Sequence, residues 1–151
     1  ISAFLREAVN NLREEKLGVV EFHKLLKENM AKLKMDKSFL KRYLNDGFSG
    51  GEKKRAEMLQ LMMLKPQFAF LDETDSGLDV DAIKIVANGI KEVQKKSDMG
   101  IILITHYNRF LEFFDFNKVS VIVKGKIVAQ GGKELASRIE SEGFGGFENG
   151  E

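Results

Sequence analysis

The chain has 151 residues, of which 43% are hydrophobic and 31% are charged, a composition typical of one soluble globular domain. Twenty-four lysines and arginines stand against 23 acidic residues, and the net charge of +1 argues against a dedicated nucleic-acid-binding protein. The absence of cysteine excludes disulfides, thiolate metal sites and thiol nucleophiles. Because no apolar run approaches the roughly 20 residues that cross a bilayer, and no signal pattern opens the chain, we expect a cytoplasmic protein without membrane insertion.

The first 64 residues have the apolar spacing that predicts helices. Three helices are expected within residues 4–12, 22–33 and 39–44, the last of them capped by Asp36. A fourth helix begins after a pair of glycines and ends near Leu64. Its methionine-rich second half is apolar almost all round, which indicates buried core more than a ligand groove.

After residue 65 the pattern changes to alternating strands and helices. Apolar strands are expected at 68–71 and 101–104, separated by a helix of four to five turns. This βαβ order predicts parallel strands, and their continuous apolar character predicts a sheet covered on both faces. A short helix at 107–113, a hairpin of strands 119–123 and 127–129, and a helix at 135–139 follow. The fold class is therefore α/β, with a helical lobe at 1–64, an α/β lobe at 65–141 and a flexible tail at 142–151.

A serine and two glycines stand where a loop enters the fourth helix, in the sequence Ser49-Gly50-Gly51-Glu52. Free N–H groups at a helix start favour anions, and glycine allows a phosphate to approach the backbone closely. The alternative interpretation is a flexible turn in which Ser49 caps the helix and Glu52 complements its dipole.

Polar residues with catalytic chemistry follow both predicted parallel strands. Asp72 and Glu73 come directly after the first strand, and Thr105 and His106 come after the second. Ligands of parallel sheets bind beyond the carboxyl ends of the strands. Asp72 suits a Mg²⁺-bound water, Glu73 suits activation of an attacking water, and His106 suits a phosphate oxygen. The alternatives are a solvated loop start and a histidine with a structural role.

Together these motifs resemble those of the ABC ATPases. Phe48-Ser49-Gly50-Gly51-Glu52 is similar to the ABC signature, residues 68–73 to the Walker B strand with its catalytic glutamate, Ser76-Gly77-Leu78-Asp79 to the D-loop, and Thr105-His106 to the switch histidine. Where transporter subunits typically have Glu-Pro-Thr, this chain has Glu73-Thr74-Asp75, which closely resembles the SufC family, the ATPase subunits of SUF iron–sulfur cluster assembly.

The resemblance implies the C-terminal part of an ABC-type P-loop ATPase domain. The sequence contains no G-x-x-x-x-G-K-[ST] motif, so the Walker A loop and the glutamine loop are expected to belong to a longer ATPase, and this chain alone to hydrolyse little ATP. The resemblance also implies a head-to-tail, ATP-dependent homodimer and binding of SUF scaffold subunits through the helical lobe. It assigns Glu73 and His106 to catalysis and Asp72 to Mg²⁺ through water. The residues it assigns to ATP bound across the dimer are Ser49, Gly50, Gly51, Glu52 and Asp79.

Other functions remain open on the sequence alone. A nucleotide-binding subunit of an ABC transporter would share the same catalysis. A chromosome-maintenance ATPase would have heptads before its signature, whereas the opening helices here are too short and irregular for a coiled coil. The missing Walker A motif favours a third class, a degenerate subunit that acts as a non-catalytic interaction module.

Overall fold

The computed structural model describes residues 1–43 and 46–148. The chain forms two compact units, Ile1–His106 and Tyr107–Glu151. The last helix of the expected helical lobe packs against the helix of the βαβ unit, and the divisions expected at residues 64 and 141 stay predictions.

The first unit opens with the helices that the apolar spacing predicts. They are α1 (Ser2–Asn11), α2 (Val19–Lys32), a 3₁₀ helix (Lys37–Lys41) and α3 (Gly50–Leu64). The 3₁₀ helix stands where we expected the third helix, and Asp36 caps it by accepting a hydrogen bond of 2.8 Å from the N–H of Ser38. The expected end of that helix includes Leu44, which lies outside the described residues.

The methionines of α3 lie in the core of the first unit. Met58, Met62 and Met63 are buried, so the interpretation of this stripe as ordinary core is confirmed. Leu5, Phe22 and Leu26 from α1 and α2, and Val86 and Ile90 from the helix that follows the first strand, are also fully buried. Burial of such side chains contributes roughly 1.5–3 kcal/mol each.

A parallel βαβ unit completes the first unit. Strand β1 (Phe68–Asp72) pairs with β2 (Gly100–Ile104) in parallel, and α4 (Val80–Lys96) connects them. The register places Asp72 opposite Ile104, so the two strands end together. This confirms the predicted α/β class and the predicted strand order.

The expectation that both faces of this sheet are covered is wrong. The face that carries Ala69 and Leu71 is buried, whereas Phe68 is 75% exposed and Phe70 72% exposed. Four large apolar side chains are exposed on the strands: Phe68, Phe70, Ile102 and Ile104. A continuous apolar strand sequence is typical of a sheet buried on both sides, but among the described residues of β1 the alternate side chains Phe68 and Phe70 are exposed.

The second unit contains a hairpin and three helices. Helix α5 (Asn108–Leu111) precedes the antiparallel strands β3 (Val119–Val123) and β4 (Lys126–Gly131), and α6 (Lys133–Glu142) and α7 (Gly145–Glu148) follow. Both residues of the hairpin turn, Lys124 and Gly125, have positive φ, as a type I′ turn requires.

The end of the chain carries more structure than the sequence led us to expect. Where we expected a flexible tail from residue 142, α7 places the ring of Phe147 against Val121, Leu135 and Ile139 in a small apolar core. The tail has few apolar residues, so the single aromatic anchor that forms this contact is hard to recognise in the sequence.

Helix α4, with 17 residues, is amphipathic, and it buries Val86, Ile90 and Val93 while its lysines face outward. Within residues 1–43 and 46–148, no helix combines the length and the apolar character that a membrane span needs.

Candidate functional site

The two parallel strands end at one edge of the sheet, and the polar residues that follow them meet there. Asp72 is the last residue of β1, and the N–H of Glu73 donates a hydrogen bond of 2.9 Å to the carbonyl oxygen of Ile104 at the end of β2. This bond carries the strand pairing one residue beyond β1. The structure therefore brings the chain at Asp72 and Glu73 next to the segment that contains His106, as the parallel order predicts.

Glu73 and His106 are in direct contact. The Oε1 atom of Glu73 lies 3.3 Å from Nδ1 of His106, and the side chains are 53% and 52% exposed. Glu73 has a φ of +46°, a conformation that few residues other than glycine adopt and that occurs often at functional sites. A carboxylate and an imidazole in contact at an open sheet edge can accept and pass on a proton from a bound water.

Asp72 provides one exposed carboxylate at the same edge. Across the described ranges, no cluster of three or more His, Asp or Glu side chains could hold a metal ion. Magnesium usually takes only one or two protein carboxylates and completes its octahedron with water and substrate phosphates. Asp72 therefore fits one contact to Mg²⁺ that a nucleotide brings with it, and does not fit a metal site made by the protein alone.

The loop after Glu73 contains a buried polar pair that the sequence analysis did not single out. Asp75 is only 2% exposed, and its Oδ2 atom accepts a hydrogen bond of 2.6 Å from the hydroxyl of Thr105. Thr74 is 4% exposed. The sequence does contain a sign of this pair, because Thr74-Asp75 stands where transporter subunits have Pro-Thr. The burial of the two side chains, however, follows no periodic pattern, since they lie in a loop.

The signature segment forms a capping box at the start of α3. The N–H of Ser49 donates to Oε2 of Glu52 at 2.8 Å, and the N–H of Glu52 donates to Oγ of Ser49 at 3.3 Å. The N–H of Ser49, followed by the Ser49 side chain and then by the neighbouring Arg42 guanidinium, holds the pKa of the Glu52 carboxyl below its usual range. The capping role of Ser49, which we left open as an alternative, is thus present in the structure.

The capping hydrogen bonds of Ser49 and Glu52 do not use all of the backbone N–H groups at the start of α3. The N–H groups of Gly50 and Gly51, at the first two helical positions, cannot reach a carbonyl within the helix. A side chain added at Gly50 would meet open space, so the backbone there is accessible to a ligand. Gly51 lies against the Leu78 side chain, because a Cβ built on it would be 3.7 Å from Leu78 Cδ2.

Arg42 holds the start of α3 and the loop before it in place. Its guanidinium donates to the Gly47 carbonyl oxygen at 2.6 Å and to Glu52 Oε1 at 3.2 Å. It also stacks over the rings of Phe39 and Phe48, with centroid distances of 5.0 and 4.5 Å. The sequence does not reveal this role of Arg42, since a single arginine on a predicted helix gives no signal of the loop that it supports.

Asp79 serves as the N-cap of α4. Its Oδ1 atom accepts a hydrogen bond of 2.7 Å from the N–H of Ala82. Ser49, Gly50, Gly51 and Glu52 lie together at the α3 mouth, while Asp72, Glu73 and His106 lie together at the sheet edge. Asp79 lies apart from these two groups in the chain, at the start of α4, and a site shared between two copies stays a prediction.

Curated relatives of the chain include proteins named as probable ABC transporter ATP-binding proteins. A probable ABC transporter ATP-binding protein of Streptococcus pyogenes serotype M3 is 50% identical over 146 residues, which cover 95% of this chain and 57% of the relative. Vegetative protein 296 of Bacillus subtilis is 49% identical over 143 residues (93% and 54%). The probable ATP-dependent transporter ycf16 of Cyanophora paradoxa is 48% identical over 145 residues (93% and 56%). The chain thus spans little more than half the length of these relatives, and no protein-family model matches it.

Solved structures of ABC transporter cassettes share the fold. The ADP conformation of MJ1267, an ATP-binding cassette of an ABC transporter, superposes with a TM-score of 0.61 at 22% identity over 86% of this chain and 50% of that one. The dimeric structure of MJ0796, a bacterial ABC transporter cassette, gives 0.68 at 15% identity over 85% and 55%. The chain is therefore similar over most of its length to proteins named as ABC transporter ATP-binding proteins, and its fold is that of about half of an ATP-binding cassette.

Proposed function

We propose that the chain is the part of a SUF-type ABC ATPase that carries the signature, the Walker B strand, the D-loop and the switch histidine. In the longer protein it would bind and hydrolyse ATP and thereby drive conformational change in a soluble iron–sulfur cluster scaffold. The observation that carries the proposal is the contact of Glu73 with His106 at the sheet edge beside Asp72.

Glu73 is the residue that we assign to water activation. Its carboxylate is exposed enough to meet a water and lies 3.3 Å from an imidazole that can orient it. The carboxylate would accept a proton from the attacking water, while His106 would keep its orientation and contact the phosphate that is released. Proton handling of this kind contributes typically 10²–10⁴-fold to a rate.

The phosphate contacts would come from two copies of the protein. Asp72 would hold Mg²⁺ through a water, and Ser49, Gly50 and Gly51 of the other copy would donate hydrogen bonds to the γ-phosphate. Mg²⁺ supplies neutralisation of the charge that develops on the phosphates during transfer. Asp79, at the start of α4 and beyond the loop that follows Glu73, would connect the two sites across the dimer.

Assignment to cluster assembly in place of transport rests on the three residues that precede the D-loop. The sequence Glu73-Thr74-Asp75 resembles the SufC family, and the bond of the buried Asp75 with Thr105 gives this departure from Glu-Pro-Thr a structural role. The scaffold partners would bind through the helices at 1–64. The names of the relatives favour a second candidate, the ATP-binding subunit of a membrane transporter.

Turnover of ATP by the longer protein that contains this sequence tests the hydrolytic proposal. Glu73→Gln should lower turnover by about two to four orders of magnitude and leave ATP binding intact, because only proton handling is lost. Glu21→Gln, an exposed glutamate in the first turn of α2, is the matched control and should behave as the wild type. Near-normal turnover by Glu73→Gln would reject the role.

Partner binding separates the two candidates. The longer protein, purified with candidate partners expressed beside it, should form a complex with soluble SUF scaffold subunits, and their binding should change its ATP turnover. Binding to the membrane subunits of a transporter, with no binding to the scaffold subunits, would reject the cluster-assembly assignment and support transport.

A further inference from the structure

Three consecutive residues at the end of β2 bond to the loop that follows β1. The carbonyl oxygen of Ile104 accepts from the N–H of Glu73 at 2.9 Å, and the hydroxyl of Thr105 donates to Oδ2 of Asp75 at 2.6 Å. The third contact is the one between Nδ1 of His106 and Oε1 of Glu73, at 3.3 Å. The two segments that carry Glu73 and His106 are thus also joined through Ile104 and Thr105, which precede His106, and through Asp75, which follows Glu73.

The side-chain contact between Asp75 and Thr105 is more buried than the one between Glu73 and His106. This difference in burial indicates which contact positions the other. Glu73 and His106 are half exposed, and a pair in that position contributes little to holding its own geometry. Asp75 is almost fully buried, and hydrogen bonds are stronger in such surroundings than in water. The Thr105 hydroxyl is partly buried and the Asp75 carboxylate is almost fully buried, so theirs is the better of the two side-chain contacts to fix the separation of the two segments.

The buried carboxyl group of Asp75 is also incompletely satisfied. Its Oδ1 atom and the hydroxyl of Thr74 have no hydrogen-bond partner among the described residues. Burying polar atoms without partners is costly, so a residue in that state is expected to have a role beyond stability. One turn connects it to Glu73, since the Ser76 N–H donates to the Glu73 carbonyl oxygen at 3.1 Å, and a second turn follows, in which the Leu78 N–H donates to the Asp75 carbonyl oxygen at 3.3 Å.

We infer that Asp75 is a positioning residue, which acts through the hydroxyl of Thr105 to hold His106 against Glu73. The bond between Asp75 and Thr105 fixes the backbone of residues 73–75 relative to that of residues 104–106. This brings the imidazole of His106 into contact with the carboxylate of Glu73. The consequence for catalysis rests on the proposed function, whereas the positioning itself requires no nucleotide.

The tautomer of His106 reports this positioning directly. Long-range ¹H–¹⁵N spectra of the 151-residue chain, labelled in histidine and recorded where imidazoles are ordinarily neutral, give the ratio of Nδ1–H to Nε2–H for each ring. The chain has two histidines, and the other, His23, lies on α2 with Nδ1 at 2.9 Å from the carbonyl oxygen of Val19. Its ratio serves as an internal control for folding.

The Thr105→Val variant removes the hydroxyl and keeps the shape of the side chain. We expect it to lower the Nδ1–H to Nε2–H ratio of His106 by about two- to threefold, the scale of one partly exposed hydrogen bond, with His23 unchanged. Thr105→Ser keeps the hydroxyl and should retain the wild-type ratio. Glu73→Ala removes the acceptor and should lower the ratio at least as far as Thr105→Val does.

Two results would overturn the inference. The first is a His106 ratio in folded Thr105→Val that equals the wild-type ratio, although Glu73→Ala changes that ratio. The second is a His106 ratio that Glu73→Ala does not change. If Thr105→Val unfolds the chain, which a changed His23 signal would show, Thr105→Ala replaces it with the same expectation. Because no nucleotide is present, failure of the proposed ATPase function would leave this result unaffected.

Discussion

Glu73 Oε1 lies 3.3 Å from His106 Nδ1, although the two residues are 33 positions apart in the sequence and both are about half exposed. The strands that end beside them supply the proximity, and the exposed pair itself adds little stability. A contact that is accessible and contributes little to the fold is suited to chemistry. Replacing His106 should therefore affect activity much more than it affects the stability of the fold.

His106→Ala should change the free energy of unfolding of the chain by less than about 1 kcal/mol, as expected for an exposed pair. In the longer protein the same substitution should lower ATP turnover by about 10²-fold, since the glutamate loses the group that orients it. Urea unfolding and steady-state turnover measure the two quantities. A loss of stability as large as the loss of activity, expressed as free energy, would show that the pair is structural.

Ser49 allows the capping role and the proposed phosphate role to be separated. Asp and Asn cap helices about as well as Ser, so neither substitution should change stability appreciably. In the longer protein Ser49→Asp places a negative charge where the γ-phosphate of the other copy is expected, and it should weaken the ATP-dependent dimer by about tenfold or more. Ser49→Asn is the uncharged control. Analytical ultracentrifugation with ATP distinguishes them, and equal dimer affinity for the two variants would contradict the phosphate role.

The two faces of β1 should respond differently to truncation. Leu71 is buried and Leu71→Ala should lower the free energy of unfolding by about 2–5 kcal/mol, because a cavity is left in the core. Phe70 is exposed, and Phe70→Ala should cost less than about 1 kcal/mol in the isolated chain. Urea unfolding of both variants measures the difference. A large cost at Phe70 would show that something covers this face in solution.

An ion-pair network between α2 and α4 makes stability depend on pH. Hydrogen bonds from Lys32 and then Lys96 lower the pKa of Glu92 to about 2, and the bond to Glu92 raises the pKa of Lys32. A lowered carboxyl pKa contributes stability above the pKa of the unfolded chain, and this contribution disappears as pH falls towards the folded value. For Lys32 the contribution is present below the ordinary lysine pKa of 10.5 and is lost as pH rises above it.

Glu92→Gln should therefore be less stable than the wild type at neutral pH, and the difference should shrink as pH falls from about 5 towards 3. Urea midpoints of both proteins over this range give the comparison. Asp81→Asn, on the first turn of the same helix where the Lys84 pair is mostly exposed, should show a smaller difference. A difference for Glu92→Gln that stays constant with pH would contradict the network.

Much of the fold could be predicted from the sequence because periodicity and capping residues determine it locally. The spacing of Phe22, Leu26 and Met30 gives α2, Asp36 and Ser49 mark helix starts, and the βαβ order gives the parallel register that joins Glu73 to His106. The exposed face of β1 could not be predicted, since the same apolar run is compatible with covered and uncovered sheets.

The site was predicted less completely than the fold. Residues with distinctive chemistry at strand ends, such as Asp72 and His106, are identified by position alone. The bond of Asp75 with Thr105 and the stacking of Arg42 on Phe48 depend on loop geometry and burial, which no local pattern encodes. Roles in ATP hydrolysis remain proposals that rest on this geometry and on homology.

The most direct test of the role of Glu73 is to identify the bound nucleotide and the oligomeric state of the longer protein when Glu73 is replaced. Glu73→Gln, incubated with Mg²⁺ and ATP, should elute as a dimer that retains ATP, because the phosphate contacts of both copies remain and only water activation is lost. The nucleotide content and mass of the isolated species decide the matter. A dimer that contains ADP, or a monomer with ATP bound, would contradict the claim that Glu73 activates water at a site shared by two copies.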